Sequence, residues 1–429
     1  MSDKILNRRQ FMHKASAAAA AFAVAGTSTR RSFGANDRLG VGLIGCGGRG
    51  NSHLQTVHWL ATDGKEAIDI VAVSDTFKPR MTKAAEGYKA KPYSDYRDLL
   101  KDPNVDVVCI ATCDHQHGYQ AIDAVKAGKD VYCEKPITHW RQFELTKRLA
   151  EEVKKSGRVF QAGTQGMSDS AWHQMKKLIQ DGLIGKPIQA ECGYFRVGDW
   201  GERGMQIDDP NAKPGEDLNW EAFLGDSPKK DFDVSRYFRW RMYEDYAGGP
   251  CTDLYPHSLT PVAYMLGVKF PSMVAATGGK FRYKEREVPD TFSMLIDYPE
   301  KITITVLGTQ GNNYKSPLGG RGAGCNIPVI RGWEGTLTII NKEIAFIPQE
   351  QDYLVDASKA KPQRFKIEHD EDQVEFWRTF LNRCREKNPE TLSPMDLAYH
   401  VQTACQMAML GFRAGKTAKF DAEKEQIII

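Results

Sequence analysis

No apolar run in this chain reaches the roughly 18–20 residues that a membrane-spanning helix needs. The longest candidate, residues 15–26, is short and alanine-rich. No pair among the nine cysteines has zinc-ligand spacing, and the odd, scattered set predicts few disulfides and no metal site. Cys109, inside "VDVVCIAT", reads as a buried thiol. Basic residues do not gather into a stripe, which argues against nucleic acid as a partner. The net charge is +3, and Lys4, Arg8, Arg9 and Lys14 against Asp3 account for all of it. What is left is a near-neutral chain of 429 residues with 41% hydrophobic and 26% charged residues. That is the balance of a soluble globular protein, at a length that predicts two domains.

The basic residues at the start have a pattern. Arg8-Arg9 precede Gln10, Phe11 and Met12, then an alanine-rich apolar stretch, then Ala23-Val24-Ala25. This reads as a twin-arginine export signal over residues 1–25, with Asn7 where Ser or Thr is usual and Gly26 as the first mature residue. Retention of the leader as an anchor stays open. The expected location is periplasmic or otherwise outside the cytoplasm, with the twin-arginine translocon as a transient partner. That route carries folded proteins, so free thiols and a preloaded cofactor are both compatible with it.

A strand, a glycine loop and a helix follow in "RLGVGLIGCGGRGNSHLQTVHWL". Gly45 permits the tight turn, Gly47 lets the backbone approach a pyrophosphate, and Gly50 lets the helix pack on the strand. Cys46, Gly48 and Arg49 complete the loop, and the helix N-terminus faces the phosphates. The next strand, "AIDIVAVSD", ends in Asp75, an acceptor for ribose hydroxyls that repels a 2′-phosphate. NAD is the expected cofactor, and Lys78 and Arg80 keep NADP open. Strands then alternate with helices to about residue 165, which predicts a doubly wound parallel sheet over 38–165.

Four segments in this order, "GLIGCGGRG", "IATCDHQH", "CEKP" and "GGPCTDLYPH", resemble the Gfo/Idh/MocA family of nicotinamide-dependent oxidoreductases. The resemblance spans roughly residues 38 to 420. It implies a Rossmann domain followed by an α/β domain with a large, mostly antiparallel open sheet. It also implies that Glu134-Lys135-Pro136 places Lys135 beside the nicotinamide, with a cis proline aiming it. Thr112 and His117 would line the nicotinamide side. Asp253 would position the substrate or tune charge, and His257 would take the hydroxyl proton. An unperturbed histidine already sits near the pKa such a base needs. The chain departs from the family at Tyr255, where glycine is common, and at Ser258, Leu259 and Thr260, where an acidic residue is often found. Pro256 and Pro261 predict that Asp253 and His257 meet through a tight turn, with the main helix starting near Pro261.

Residues 187–348 are rich in β-branched and aromatic strands, and Pro299-Glu300 reads as a hairpin. This second, substrate and oligomerisation domain is drawn over 166–365, after an arm at 26–37. Helices over 366–429 are expected to pack back on the core. An insert at 197–247 carries Trp200, Trp220, Arg236, Tyr237, Arg239, Trp240, Arg241 and Tyr243. It reads equally as a sugar platform or as a loop with its own small core. Tyr194, Arg239, Trp240 and Tyr255 are the candidate substrate contacts. The glycine-rich segment 308–325 reads as a lid or an interface.

Together these readings predict an exported oxidoreductase that acts on a secondary hydroxyl of a carbohydrate with tightly held NAD. The resemblance implies a homodimer or homotetramer. Two alternatives remain. One is an NAD-dependent glycosidase or lyase that oxidises C3 transiently and eliminates without net redox change. The other is a non-catalytic binding protein on the same scaffold.

Overall fold

The computed structural model describes residues 38–198, 205–322, 324–349 and 361–429. The leader, the arm and Trp200 lie outside the described residues.

Six strands, β1 (Leu39–Ile44), β2 (Ile68–Ser74), β3 (Lys91–Tyr93), β4 (Val107–Ile110), β5 (Asp130–Cys133) and β6 (Phe160–Ala162), form one parallel sheet. Its order is β3-β2-β1-β4-β5-β6. β1, β4 and β5 bury every residue, as apolar runs do when helices cover both faces of a parallel sheet. The strand order reverses beside β1. Chains leaving β1 and β4 turn to opposite sides, and a crevice opens beyond their carboxyl ends. The expected doubly wound sheet is therefore observed. Gly157 stops the helix Phe143–Ser156 in the left-handed conformation that its lack of a Cβ permits.

The second sheet is large, open and mostly antiparallel. β7 (Pro187–Val197) lies next to β10 (Ile302–Thr309), with β9 (Thr291–Tyr298) and β8 (Met273–Gly279) beyond it. β7 and β10 run parallel, while β10 with β9 and β9 with β8 run antiparallel. The Pro299-Glu300 hairpin joins β9 to β10. On the other side of β7 the sheet extends through Val329–Gly332, Gly335–Ile340, Glu343–Pro348 and Gln363–Lys366. Asn341 and Lys342 both take positive φ, 53° and 65°, which closes the two-residue hairpin between two of those strands. Ile302, Ile304 and Val306 of β10 point inward onto the helices Ser170–Gln180, Tyr255–Leu266 and Met395–Ala414, while Leu307 and Leu295 face outward. Two final strands, Ala418–Asp421 and Gln426–Ile428, extend the β8 edge. Nothing in the sequence reading anticipated them.

The helix Met395–Ala414 joins the two domains. Met395, Ala398 and Tyr399 pack in the core of the parallel sheet, and Val401 through Met409 pack in the core of the second. The preceding helix, Gln373–Glu386, is capped by Asp372, whose carboxylate accepts from the N–H of Val374 at 2.7 Å. It stacks Trp377 on Tyr132 of β5 at 4.5 Å. All nine cysteines are free thiols. Among the described residues no helix is long and apolar enough to cross a membrane.

One local expectation needs correction. The helix carrying His257 starts at Tyr255, not near Pro261. Pro256 occupies the first turn, where its missing N–H has no intrahelical role. Pro261 sits inside the helix and leaves the carbonyl of His257, four residues back, without its helical donor. The chain does break between Asp253 and His257. Asp253 ends a short helix, Pro250–Asp253, and Leu254 separates the two.

Candidate active site

A single cavity of about 1650 Å³ runs across the carboxyl ends of the parallel strands and under the second sheet. Gly45, Gly47, Gly48, Arg49 and Asp75 line one end. Thr112, His117, Glu134 and Lys135 line the middle. Asp253, His257, Tyr194 and Trp240 line the other end. These residues come from both domains, and Gly45 and His257 are more than two hundred positions apart in the chain.

The glycine loop divides into packing glycines and open glycines. Gly45 has φ +95°, and a Cβ there would lie 2.7 Å from the carbonyl oxygen of Ala111. A Cβ on Gly50 would lie 1.8 Å from the carbonyl oxygen of Gly45, so the helix can approach β1 only because none is present. Among the described residues Gly48 has nothing within 4 Å of that position, and Gly47 has only Arg80 at 3.4 Å. Both therefore present bare backbone to the cavity. The helix Gly48–Thr62 begins without a side-chain cap and without an acidic residue in its first turn. Among the described residues its first N–H groups have no side-chain partner, which leaves them for an anion. Asp75 holds the loop in shape, accepting from the N–H of Cys46 at 2.6 Å and of Phe77 at 2.8 Å. Burial pushes its carboxyl upward, and Arg80 and these N–H groups oppose that. Cys46 contributes this backbone N–H but does not line the cavity.

Glu134 is the hub behind the site. Its Oε1 accepts from Arg49 Nε at 2.7 Å, His53 Nε2 at 2.8 Å and Gln165 Nε2 at 2.9 Å. Trp377 Nε1 donates to His53 Nδ1 at 3.0 Å, which fixes the proton of a neutral His53 on Nε2. Burial works against the Glu134 carboxylate, yet Arg49 and His53 hold it well below the usual carboxylate range.

The next residue, Lys135, begins a cis bond to Pro136. Its Nζ donates to Asp253 Oδ1 at 2.8 Å and also to the Asp253 carbonyl. Arg241 Nε reaches the same Oδ1 at 3.2 Å. Burial raises the cost of charge on Asp253, but the two cations keep it ionised. His257 is partly buried beside this cluster. Burial first, then the positive charge of Lys135, push its imidazole down to about 3, so it is neutral at pH 7. It departs from the unperturbed value because a second positive charge in this pocket is disfavoured. Among the described residues neither ring nitrogen has a hydrogen-bond partner, and the ring faces the cavity. Asp114 lies behind Lys135 and Arg241. Its Oδ2 is buried without a partner among the described residues, and burial pushes the carboxyl up to about 8.

The remaining candidates divide between the cavity wall and the packing around it. His117 places Nδ1 2.7 Å from the carbonyl oxygen of Pro136, so it braces the lysine–proline turn from behind. Thr112 donates its hydroxyl to Gln120 at 2.7 Å. Tyr255 and Arg239 do not reach the cavity, which corrects their reading as substrate contacts. Tyr255 is fully buried and donates to the carbonyl of Phe292, because its position in the first turn points into the second-domain core. Arg239 turns away to the carbonyl of Met205 at 3.3 Å. Trp240 reaches the wall but is mostly consumed in packing. Arg321, from the glycine-rich segment, also lines the cavity, held by Asp169 at 2.5 and 2.9 Å. Sequence reasoning missed His53, Gln165, Asp114, Arg321 and Trp377 as members of this region. It had noted Arg241 only as part of an aromatic, arginine-rich stretch.

The insert is a small core of its own. Trp220, Phe223, Tyr237, Phe238 and Tyr246 bury one another and close on Phe77 of the first domain. Two buried histidines hold it. His115 Nε2 donates to the carbonyl of Phe223 at 2.7 Å and His139 Nε2 to that of Glu244 at 3.0 Å. His115 Nδ1 has no partner among the described residues, and His139 Nδ1 accepts from the N–H of Arg141 at 3.4 Å. Burial pushes the two imidazoles down to about 4 and about 3. Below the unfolded value near 6.5, the unfolded chain therefore binds more protons than the folded one. Stability is full above pH 6.5 and falls towards pH 4, by up to about 1.4 kcal/mol per pH unit per histidine. A calorimetric melting series should show this slope, and a His115→Gln variant should show a shallower one.

Comparison with known proteins agrees with this geometry. Residues 39–164 match a family model described as an oxidoreductase family, NAD-binding Rossmann fold, and residues 168–429 match that family's C-terminal alpha/beta domain. The chain is 35% identical over 158 residues to an inositol 2-dehydrogenase/D-chiro-inositol 3-dehydrogenase of Lactiplantibacillus plantarum, covering 36% of this chain and 43% of that one. It is 28% identical over 211 residues to an inositol 2-dehydrogenase of Klebsiella pneumoniae, covering 48% and 56%. The chain thus spans about half the length of the curated relatives it matches. A levoglucosan dehydrogenase in complex with NADH and levoglucosan superposes with a TM-score of 0.65 at 19% identity, over 89% of this chain and 99% of that one. GenD2 from gentamicin A biosynthesis, in complex with NAD, gives 0.65 at 19%, over 91% and 99%. These two likenesses are of fold. With both domains matched, the chain belongs to the Gfo/Idh/MocA oxidoreductase family, NAD-binding through its Rossmann domain.

Proposed function

We propose that this chain is a dehydrogenase that oxidises a secondary hydroxyl of a sugar or cyclic polyol. The observation that carries the reading is one cavity holding both the uncapped glycine-loop helix and the Lys135–Asp253–His257 cluster. The loop fits a dinucleotide. Gly47 and Gly48 expose backbone, the helix N-terminus favours a pyrophosphate, and Asp75 keeps lone pairs for ribose hydroxyls. NAD, when bound, supplies the hydride acceptor. His257, neutral and without a hydrogen-bond partner among the described residues, takes the hydroxyl proton. Lys135 stabilises the developing alkoxide, and Asp253 fixes the ammonium in place. Arg241 shares the charge on Asp253 and reaches into the substrate end. The names of the inositol and levoglucosan dehydrogenases support a polyhydroxylated ring as the substrate class.

Export through the twin-arginine route, with NAD carried inside the fold, belongs to the same proposal and rests on residues 7–26. Assembly into a homodimer or homotetramer through the outward face of the second sheet rests on exposed Leu295 and Leu307. The test is a panel of inositols, anhydrosugars and hexoses offered with NAD⁺. Reduced nicotinamide should form with a subset of cyclic polyols. Protein purified without added nucleotide should release NAD(H) on denaturation. Failure of every polyol with NAD⁺ bound would overturn the substrate class.

A further inference from the structure

The nucleotide end of the cavity is completed by the second domain. Leu218 forms an antiparallel bridge with Phe77, just past Asp75. The N–H of Lys78 donates to the carbonyl of Asp217 at 2.8 Å, and the N–H of Asn219 to that of Thr76 at 2.9 Å. Thr76 and Tyr237 share a hydroxyl hydrogen bond of 2.7 Å. The insert therefore sits directly over the loop that follows β2.

That docking delivers acids to the cations there. Arg80 Nε and Nη2 meet the two carboxylate oxygens of Asp208 at 2.6 and 3.0 Å, in a bidentate pair. The Arg80 guanidinium also lies 5.2 Å from the ring centre of Phe238. Its Nη1 approaches Gly47, which places it over the glycine loop. Lys78 Nζ meets Glu216 at 2.6 Å. Asp75, Arg80 and Asp208 all line the cavity.

NAD and NADP differ by one dianionic phosphate on the adenosine ribose. A cation that recognises it must have free donors. Here both nearby cations already hold carboxylates supplied by the insert. A 2′-phosphate would have to break the Arg80–Asp208 fork or take Nη1 alone, and in either case sit beside two carboxylates, Asp75 and Asp208. A 2′-hydroxyl needs neither. We propose that Asp208 is a specificity-determining residue for the dinucleotide, occupying Arg80 so that this end of the site accepts NAD and rejects NADP. Glu216 does the same for Lys78 more weakly, because that pair is more exposed. The inference rests on the reading that a dinucleotide occupies this cavity.

The test is calorimetric binding of NAD⁺ and NADP⁺ to nucleotide-free protein, without substrate. Asp208→Asn should raise NADP⁺ affinity relative to NAD⁺ by about tenfold or more, and added salt should shrink that gain. Asp208→Glu should keep the wild-type preference. Arg80→Gln introduced beside Asp208→Asn should abolish the gain. Asp181→Asn, a surface carboxylate outside the cavity, should leave the ratio unchanged. An unmoved ratio in Asp208→Asn, in protein that melts as the wild type does and still binds NAD⁺, would overturn the inference and leave the dinucleotide reading intact. An Asp208→Glu variant that prefers NADP⁺ would also overturn it. Wild-type protein that binds neither nucleotide would remove the dinucleotide reading and this inference together.

Discussion

Replacing His257 by alanine is expected to cut turnover by about 10²–10⁴-fold while NAD⁺ affinity stays close to the wild-type value. The split follows from position. His257 lines the substrate end of the cavity, whereas the glycine loop and Asp75 line the other. No hydrogen bond within the described residues depends on its ring, so its removal leaves no buried partner unsatisfied. A base held down to about 3 is weak, and it would be slow alone. In the proposed mechanism Lys135 compensates on the other side of the proton transfer, since its charge would fall on the alkoxide. The wild-type kcat/KM profile should accordingly show no acid limb near 6.5 from this residue. Between pH 7 and 5 the rate should be nearly flat once acid loss of the folded state is corrected for. Lys135→Ala should lose a comparable factor in turnover and some stability as well, because Asp253 is then left buried with Arg241 alone.

The second large effect concerns the glycine loop. Gly50→Ala should cost about 3 kcal/mol or more and abolish dinucleotide binding. Its Cβ would meet backbone, the carbonyl oxygen of Gly45 at 1.8 Å, which cannot rotate aside. Either the helix Gly48–Thr62 leaves β1 or the loop changes shape. Gly48→Ala, two residues earlier, should do the opposite to stability. It has free space, and alanine lowers the entropy of the unfolded chain, so the fold should gain about 0.4–1 kcal/mol. It should still weaken NAD⁺ binding, because the added methyl stands where backbone meets the cavity. Thermal melting and calorimetric binding of the two variants separate packing glycines from ligand-facing ones.

The parallel sheet was readable in sequence because β1 and β4 are buried on both faces, and such strands leave continuous apolar runs between helical patterns. The glycine loop and Asp75 were readable because each requires a residue type at a set place along the chain, whereas Lys135 and the Asp253–His257 pair entered only through the family resemblance. What could not be read depends on distant segments meeting. His53 looks like an ordinary helical residue until Trp377, more than three hundred positions later, fixes its tautomer against Glu134. Asp114 acquires its meaning from burial alone. The aromatic insert had a composition equal to a sugar platform or a core, and contact with Phe77 decided for the core. Arg239, inside that insert, shared the ambiguity, whereas Tyr255 drew notice as the departure from the family's glycine. Pro261 ends helices in short-range rules, but the packing of Tyr255–Leu266 across both its faces outweighs one lost hydrogen bond.

The most direct measurement mixes NAD⁺-loaded protein with cyclic polyols in a stopped-flow instrument and follows nicotinamide absorbance through the first turnover. The account predicts reduced nicotinamide at up to one equivalent per site, lost in His257→Ala although that variant keeps its NAD⁺. Glycoside cleavage with no net reduced nicotinamide from any polyol, or equal bursts in the wild type and His257→Ala, would contradict it.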